Sequence, residues 1–162
     1  MAILNVQVIA VGKIKEKYLD LGLKEYGKRM RRYGRFEVVE IKEESFNEPL
    51  SDKEVEQILQ REGERILAAI KPRSYVFALD RLGESWSSEE LAAEFQRLAV
   101  GGISQAVFVI GGSLGLDQRV VSRADVRLSF SAFTFPHQLM RLILLEQIYR
   151  SFTIVAGERY HK

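Results

Sequence analysis

Ala106-Val-Phe-Val-Ile-Gly-Gly-Ser-Leu-Gly115 is the stretch whose reading decides the fold. Ala106–Ile110 is short and purely apolar, the pattern of a strand buried on both faces of a mainly parallel sheet. The glycines behind it open a loop, and Asp117 is placed to cap a short helix. Ligands of open parallel sheets sit beyond the carboxyl ends of the strands. Glycines there let backbone N–H groups approach a ligand closely. The stretch has no P-loop lysine, which argues against triphosphate chemistry, and it lacks the full G-x-G-x-x-G spacing of a dinucleotide site. Taken alone, it fits a tight strand–helix turn as well as it fits a ligand loop.

Working outward, strand-like and helix-like segments alternate along the chain. Ile3–Val11, Phe36–Ile41 and Ser74–Leu79 read as strands upstream, and Val126–Phe130 as a fifth strand downstream. Between them, Leu19, Leu23, Tyr26, Met30 and Tyr33 recur at helical spacing. Ser51 with Glu54, and Ser87 with Glu90, have the spacing of capping boxes before two further helices. Pro136 fits the first turn of a last helix with Leu139, Leu142, Ile143, Leu145 and Ile148 on its core face. The expected fold is α/β, a mainly parallel sheet with helices on both faces, in a single domain spanning 1–162. The acidic Glu43–Ser51 segment reads as a surface loop. Three ligand-binding segments are expected: those after Leu79, after Ile110 and after Phe130.

Composition narrows the function classes. The chain has 162 residues, no cysteine and a formal net charge of +2. Disulfides and thiolate metal sites are therefore excluded. Only two histidines occur, His137 and His161, with no H-E-x-x-H pattern, so no metal site is expected. There is no secretory signal pattern and no apolar run long enough for a bilayer, and the expected location is cytoplasmic. Basic charge is concentrated locally: Lys24, Lys28, Arg29, Arg31, Arg32 and Arg35 lie within twelve residues with Glu25 as the one acid. Charge alone divides evenly between a solvated helix end and a phosphate-contacting patch.

Leu128-Ser-Phe-Ser-Ala-Phe-Thr-Phe-Pro-His137 puts two serines, a threonine and three aromatics behind a buried strand. Such a segment can line a flat apolar slot with hydrogen-bonding edges, which suits a purine, although its residues alone favour a strand end running into a capped helix with the phenylalanines in the core. His137 stands at a helix start, where the dipole favours a neutral ring. Arg159-Tyr-His-Lys162 can stack on a base and hold phosphates, but composition alone favours fraying.

Phe108-Val-Ile-Gly-Gly-Ser-Leu-Gly-Leu116, Leu128 to Gln138, Arg141, Glu146-Gln-Ile-Tyr-Arg150 and the closing Tyr160-His-Lys162 together resemble the RlmH family. These are SPOUT-class enzymes that methylate N3 of a pseudouridine in 23S ribosomal RNA. The likeness covers the whole chain, and several separate motifs occur in order at matching spacing. Leu114 and Phe133 depart from it, since a polar residue and a methionine or leucine are expected there. The resemblance implies a deep trefoil knot in the C-terminal half, against the general rarity of knots. It also implies a homodimer packed through the last helix, S-adenosylmethionine as cofactor, and ribosomal RNA on the ribosome as partner. By the same analogy Leu79, Gly111, Phe130, Ser131, Ala132, Phe133, Thr134 and Phe135 hold the cofactor. His137, Arg141, Arg150, Tyr160, His161 and Lys162 handle the substrate, with one subunit's tail completing the other's pocket. A SPOUT enzyme acting on transfer RNA and a non-catalytic RNA binder are the alternatives.

Overall fold

The computed structural model describes residues 4–162, so Ile3 of the expected first strand lies outside the described residues. Five strands form one sheet in the order β2-β1-β4-β3-β5, all parallel. They are β1 (Asn5–Val11), β2 (Phe36–Ile41), β3 (Tyr75–Ser85), β4 (Gln105–Ile110) and β5 (Val126–Ser129). The apolar run that opens the sequence reading is the central strand, and Ala106, Val107, Phe108 and Val109 are fully buried. The valines and the phenylalanine each contribute on the order of 1.5–3 kcal/mol by leaving water.

Helices cover both faces because the strands alternate two sets of apolar side chains. On one face Val6, Val8, Phe77 and Phe108 pack against α1 (Lys17–Met30), α3 (Ser88–Val100) and α5 (His137–Val155), with Phe77 and Phe108 stacked at 4.5 Å between centroids. On the other face Ile9, Val11, Val107 and Val109 meet α2 (Asp52–Ala69) and α4 (Gln118–Arg123). Both expected capping boxes form: the Ser51 and Ser87 hydroxyls accept from the Glu54 and Glu90 N–H groups, and the two glutamates return to the cap backbones. Asp117 caps α4 by accepting from the Arg119 N–H.

Three details differ from the sequence reading. Strand β3 does not stop at Leu79. It shifts register and pairs again with β5 at Glu84–Leu128 and Ser85–Ser129. Pro136 stands at the N-cap, with α5 beginning at His137. The Glu43–Ser51 loop is irregular, as expected, but its first residues are pinned: Glu62 accepts the Glu44 N–H, and Arg65 binds the Glu44 carboxylate at 2.7 Å.

The path of the last third positions the site. The chain leaves β5 at the sheet edge, then crosses without regular structure through residues 130–136. It starts α5 near the end of β1, where His137 Nε2 lies 3.9 Å from the point a Cβ on Gly12 would occupy. α5 then runs back against α1 and α3.

Candidate active site

The three expected ligand segments converge. A cleft of about 900 Å³ at the carboxyl ends of β3, β4 and β5 is lined by Leu79–Arg81, Ile110–Leu116 and the crossing from Phe130 to His137. Its walls are apolar where Leu79, Leu114, Leu116, Phe130 and Phe135 face it, and polar at the Ser131 and Thr134 hydroxyls. Between them runs the glycine backbone. A Cβ on Gly111 would stand 2.5 Å from the Gly115 carbonyl oxygen, so only glycine lets the loop fold this tightly. Gly115 takes φ +91°, and its N–H donates to the Gly112 carbonyl, closing the turn. An ion pair fixes one rim: Arg127 donates from Nε and Nη2 to Asp80 Oδ2 at 3.0 and 2.5 Å. Burial works against the charge on Asp80, but the Arg127 and Leu82 donors outweigh it and hold the carboxyl below its ordinary range.

Of the residues expected to hold a cofactor, Leu79, Gly111, Phe130, Ser131, Phe133, Thr134 and Phe135 line this cleft, whereas Ala132 is exposed and does not. Phe133 is 80% exposed.

The residues expected to handle substrate fall into three places. His137 lines the cleft, and its ring makes no hydrogen bond among the described residues. Arg141 is 2% exposed and donates to Glu40 at 2.7 Å and to the Gly12 carbonyl at 3.0 Å, bracing the end of β1. Arg150, Tyr160 and His161 gather around the far end of α5, and Lys162 is exposed beyond them. Thirteen residues of helix separate His137 from Arg150, a rise of roughly 20 Å.

That distal cluster is closed by charge-assisted hydrogen bonds. Arg150 donates from Nε and Nη2 to Glu146, one turn earlier, and its guanidinium lies 4.8 Å from the Tyr160 ring centroid. The Tyr160 hydroxyl donates to Glu146 at 2.7 Å. Burial, reinforced by its Tyr26 and Glu146 neighbours, pushes this phenol far above its ordinary value and keeps it a donor. His161 is held at both nitrogens, by Arg150 Nη1 at 3.0 Å from Nδ1 and by Glu89 at 2.5 Å from Nε2. Arginine only donates, so Nδ1 accepts and the proton sits on Nε2, facing Glu89. Composition favours fraying here; the structure instead folds the tail onto α5.

Sequence reasoning missed the carboxylates. Glu146 organises the distal cluster, and its i,i+4 spacing to Arg150 was the available signal. Glu43 and Glu62 approach the cleft floor, each placing a carboxylate oxygen 3.7 Å from the point a Cβ on Gly112 would occupy. No local pattern announces them, since they come from a loop and from the middle of α2. Burial pushes the Glu62 carboxyl up, with Glu43 and Glu44 adding to it and the Glu44 N–H opposing. Among the described residues no group of three or more His, Cys, Asp or Glu side chains is arranged to hold a metal ion, and no helix is long and apolar enough to cross a membrane.

The family model described as "Predicted SPOUT methyltransferase" matches residues 4–161. The chain belongs to the SPOUT methyltransferase family. A SPOUT methyltransferase is an enzyme that draws on a methyl-donor cofactor. Among curated relatives, the "Ribosomal RNA large subunit methyltransferase H" of Limosilactobacillus fermentum is 54% identical over 98% of this chain and 100% of its own. That of Clostridioides difficile is 55% identical over the same shares. A solved structure titled as a probable methylase family protein from Haemophilus influenzae covers 98% of this chain and 71% of its own, with a TM-score of 0.54. At 12% identity that likeness speaks for the SPOUT fold alone.

Proposed function

We propose that this protein transfers the methyl group of S-adenosylmethionine to N3 of a pseudouridine in 23S ribosomal RNA. It acts in the cytoplasm as a homodimer of single-domain chains, each a SPOUT unit over 1–162. The observation that carries this is the convergence of Leu79, the Gly111–Leu116 loop and the Phe130–Phe135 crossing on one cleft. Aromatic walls, exposed glycine backbone and two hydroxyls fit an adenosyl group. The names of relatives more than half identical over the full chain point to ribosomal RNA. The family implies a trefoil knot in the C-terminal half, and a crossing from edge strand β5 to α5 over the ends of β3 and β4 is compatible with it.

When bound, the sulfonium supplies an activated methyl group. The chain's own residues have the remaining work. The cleft walls exclude water and fix direction, so that the ring nitrogen meets the methyl carbon in line. The nitrogen must also shed its proton to become a good nucleophile. His137 is the ring available for that within the cleft, because both nitrogens of His161 are engaged in the closed tail.

A second copy resolves the separation between cleft and tail. α5 carries apolar residues on every side rather than on one face, as expected of a helix covered on more than one side. Leu139, Ile143, Glu146 and Arg150 recur at spacings of four, three and four, forming one stripe opposite the buried Leu144, Leu145 and Ile148. Tyr18 and Leu21 on neighbouring α1 are 66% and 67% exposed. Antiparallel two-fold packing of this stripe brings one copy's Arg150, Tyr160 and His161 beside the other's Leu139 and His137.

Calorimetric titration with S-adenosylmethionine, followed by methyl transfer to ribosomes from cells lacking the protein, tests the proposal. Saturable binding and a new methyl on a large-subunit pseudouridine are expected. Cofactor binding with methyl appearing only on transfer RNA would overturn the assigned substrate.

A further inference from the structure

The structure divides the basic cluster of the sequence into spent and available cations. Arg29 is paired with Glu25 at 2.7 Å and sits over the Tyr26 and Tyr149 rings, while Arg32 is paired with Glu158 at 3.1 Å. Lys28 and Arg31 have no carboxylate within 4.0 Å among the described residues. They line a second cleft of about 590 Å³ between α1 and the edge strand β2, together with Lys13, Lys24 and Arg141. Lys13 likewise has no acidic partner among the described residues. The three acids of this groove are already matched: Asp20 with Lys24, Glu37 with Lys71 and Glu40 with Arg141. Lys13, Lys28 and Arg31 therefore present uncompensated charge.

The groove also has a built floor. Arg141 is 2% exposed, yet its Nε has no hydrogen-bond partner among the described residues. A buried guanidinium donor without a partner is costly and marks a place where an acceptor belongs. Arg141 lies one helical turn, roughly 6 Å of rise, beyond His137. Its Nη2 grips the Gly12 carbonyl, and the Gly12 α-carbon faces His137. Groove and reaction cleft are thus separated by a single backbone ridge.

We infer that this groove is an RNA-backbone track, in which Lys13, Lys28 and Arg31 hold phosphates of nucleotides flanking the one that enters the cleft. The inference rests on the proposed action on ribosomal RNA and specifies how the substrate is gripped. The contact is to phosphate and so carries register rather than sequence. Each phosphate neutralised releases counterions, so binding through the groove weakens with salt.

The test titrates full-length wild type, K28E/R31E and the milder K28Q/R31Q against assembled ribosomes at low and moderate salt. Circular dichroism checks the fold, and S-adenosylmethionine calorimetry checks the cleft. The double reversal should weaken ribosome binding by about tenfold or more and flatten the salt dependence by about one to two counterions. The glutamine pair should fall between, and cofactor affinity should not move. Folded variants that bind ribosomes with wild-type affinity and wild-type salt slope would overturn the track. Failure of the wild type to methylate ribosomal RNA would instead strike at the proposed substrate, because the binding measurement stands apart from turnover.

Discussion

The cleft beyond β4 and the cluster at the end of α5 are built on opposite plans. The cleft is assembled from backbone, small residues and aromatic faces, and it leaves the Thr134 hydroxyl and the His137 ring without hydrogen-bond partners among the described residues. The cluster is saturated: Glu146, Arg150, Tyr160, His161 and Glu89 satisfy one another through charge-assisted hydrogen bonds. A region that leaves its groups unpaired is waiting for a ligand, whereas a saturated one is preorganised to present what it holds. The two lie roughly 20 Å apart along α5, so under the proposed function a single chain separates cofactor binding from substrate handling.

The harshest way to break this division is to remove the tail. Deleting Tyr160–Lys162 should lower the rate of transfer by about a hundredfold or more while cofactor affinity stays near wild type, since general acid–base and positioning groups commonly contribute that much. Turnover of the truncated chain with unlabelled and radiolabelled cofactor reads this directly, and unchanged turnover refutes an active-site role for the tail. The converse change is Gly111→Val. Its Cβ would meet the Gly115 carbonyl at 2.5 Å, so the loop must open. Cofactor affinity by calorimetry should drop by about tenfold to a hundredfold, the equivalent of 1–3 kcal/mol of overpacking.

Glu146→Gln sharpens the contrast. It leaves the side chain in place but removes the charge that orients Arg150 and accepts from Tyr160. The turnover number should fall about tenfold, with KM for the cofactor unchanged, as expected for loss of one charge-assisted contact. The smallest effect concerns the cleft floor. The Glu62 carboxyl is raised in the folded protein, so the native state binds the extra proton, and stability falls as pH climbs from the ordinary glutamate range through the raised value. Thermal melts across that window should show the decline in wild type and lose it in Glu62→Gln. That variant keeps the oxygen that accepts the Glu44 N–H. An identical slope in both would remove Glu62 as its source.

The fold was legible where local physics decides it. The apolar run Ala106–Ile110, the two capping boxes and the helical spacing of α1 give element type and order, and the glycine loop marks the carboxyl end of β4. What escaped was non-local. The second half of β3 is held by pairing with β5 across a register shift, beside a glycine whose absent Cβ leaves room for the Arg127 carbonyl. The approach of Glu43 and Glu62 to Gly112 depends on how α2 packs. The expectation of a knot came from resemblance alone, because periodicity describes segments and not the route between them. Composition favours a frayed tail, whereas its order comes from Glu146 on the preceding helix and from Glu89 on α3, much earlier in the chain.

Mixed dimers test the division most directly. Assayed with cofactor held well below the weakened Kd of the Gly111→Val cleft, a chain lacking Tyr160–Lys162 and a chain carrying Gly111→Val are each expected to be nearly inactive as homodimers. Refolded together in equal amounts, they should regain about a quarter of wild-type turnover, since half the dimers are mixed and each of those has one complete site of two. No recovery, despite mixed dimers shown by differential tagging, would mean that each tail serves its own cleft and would contradict the account.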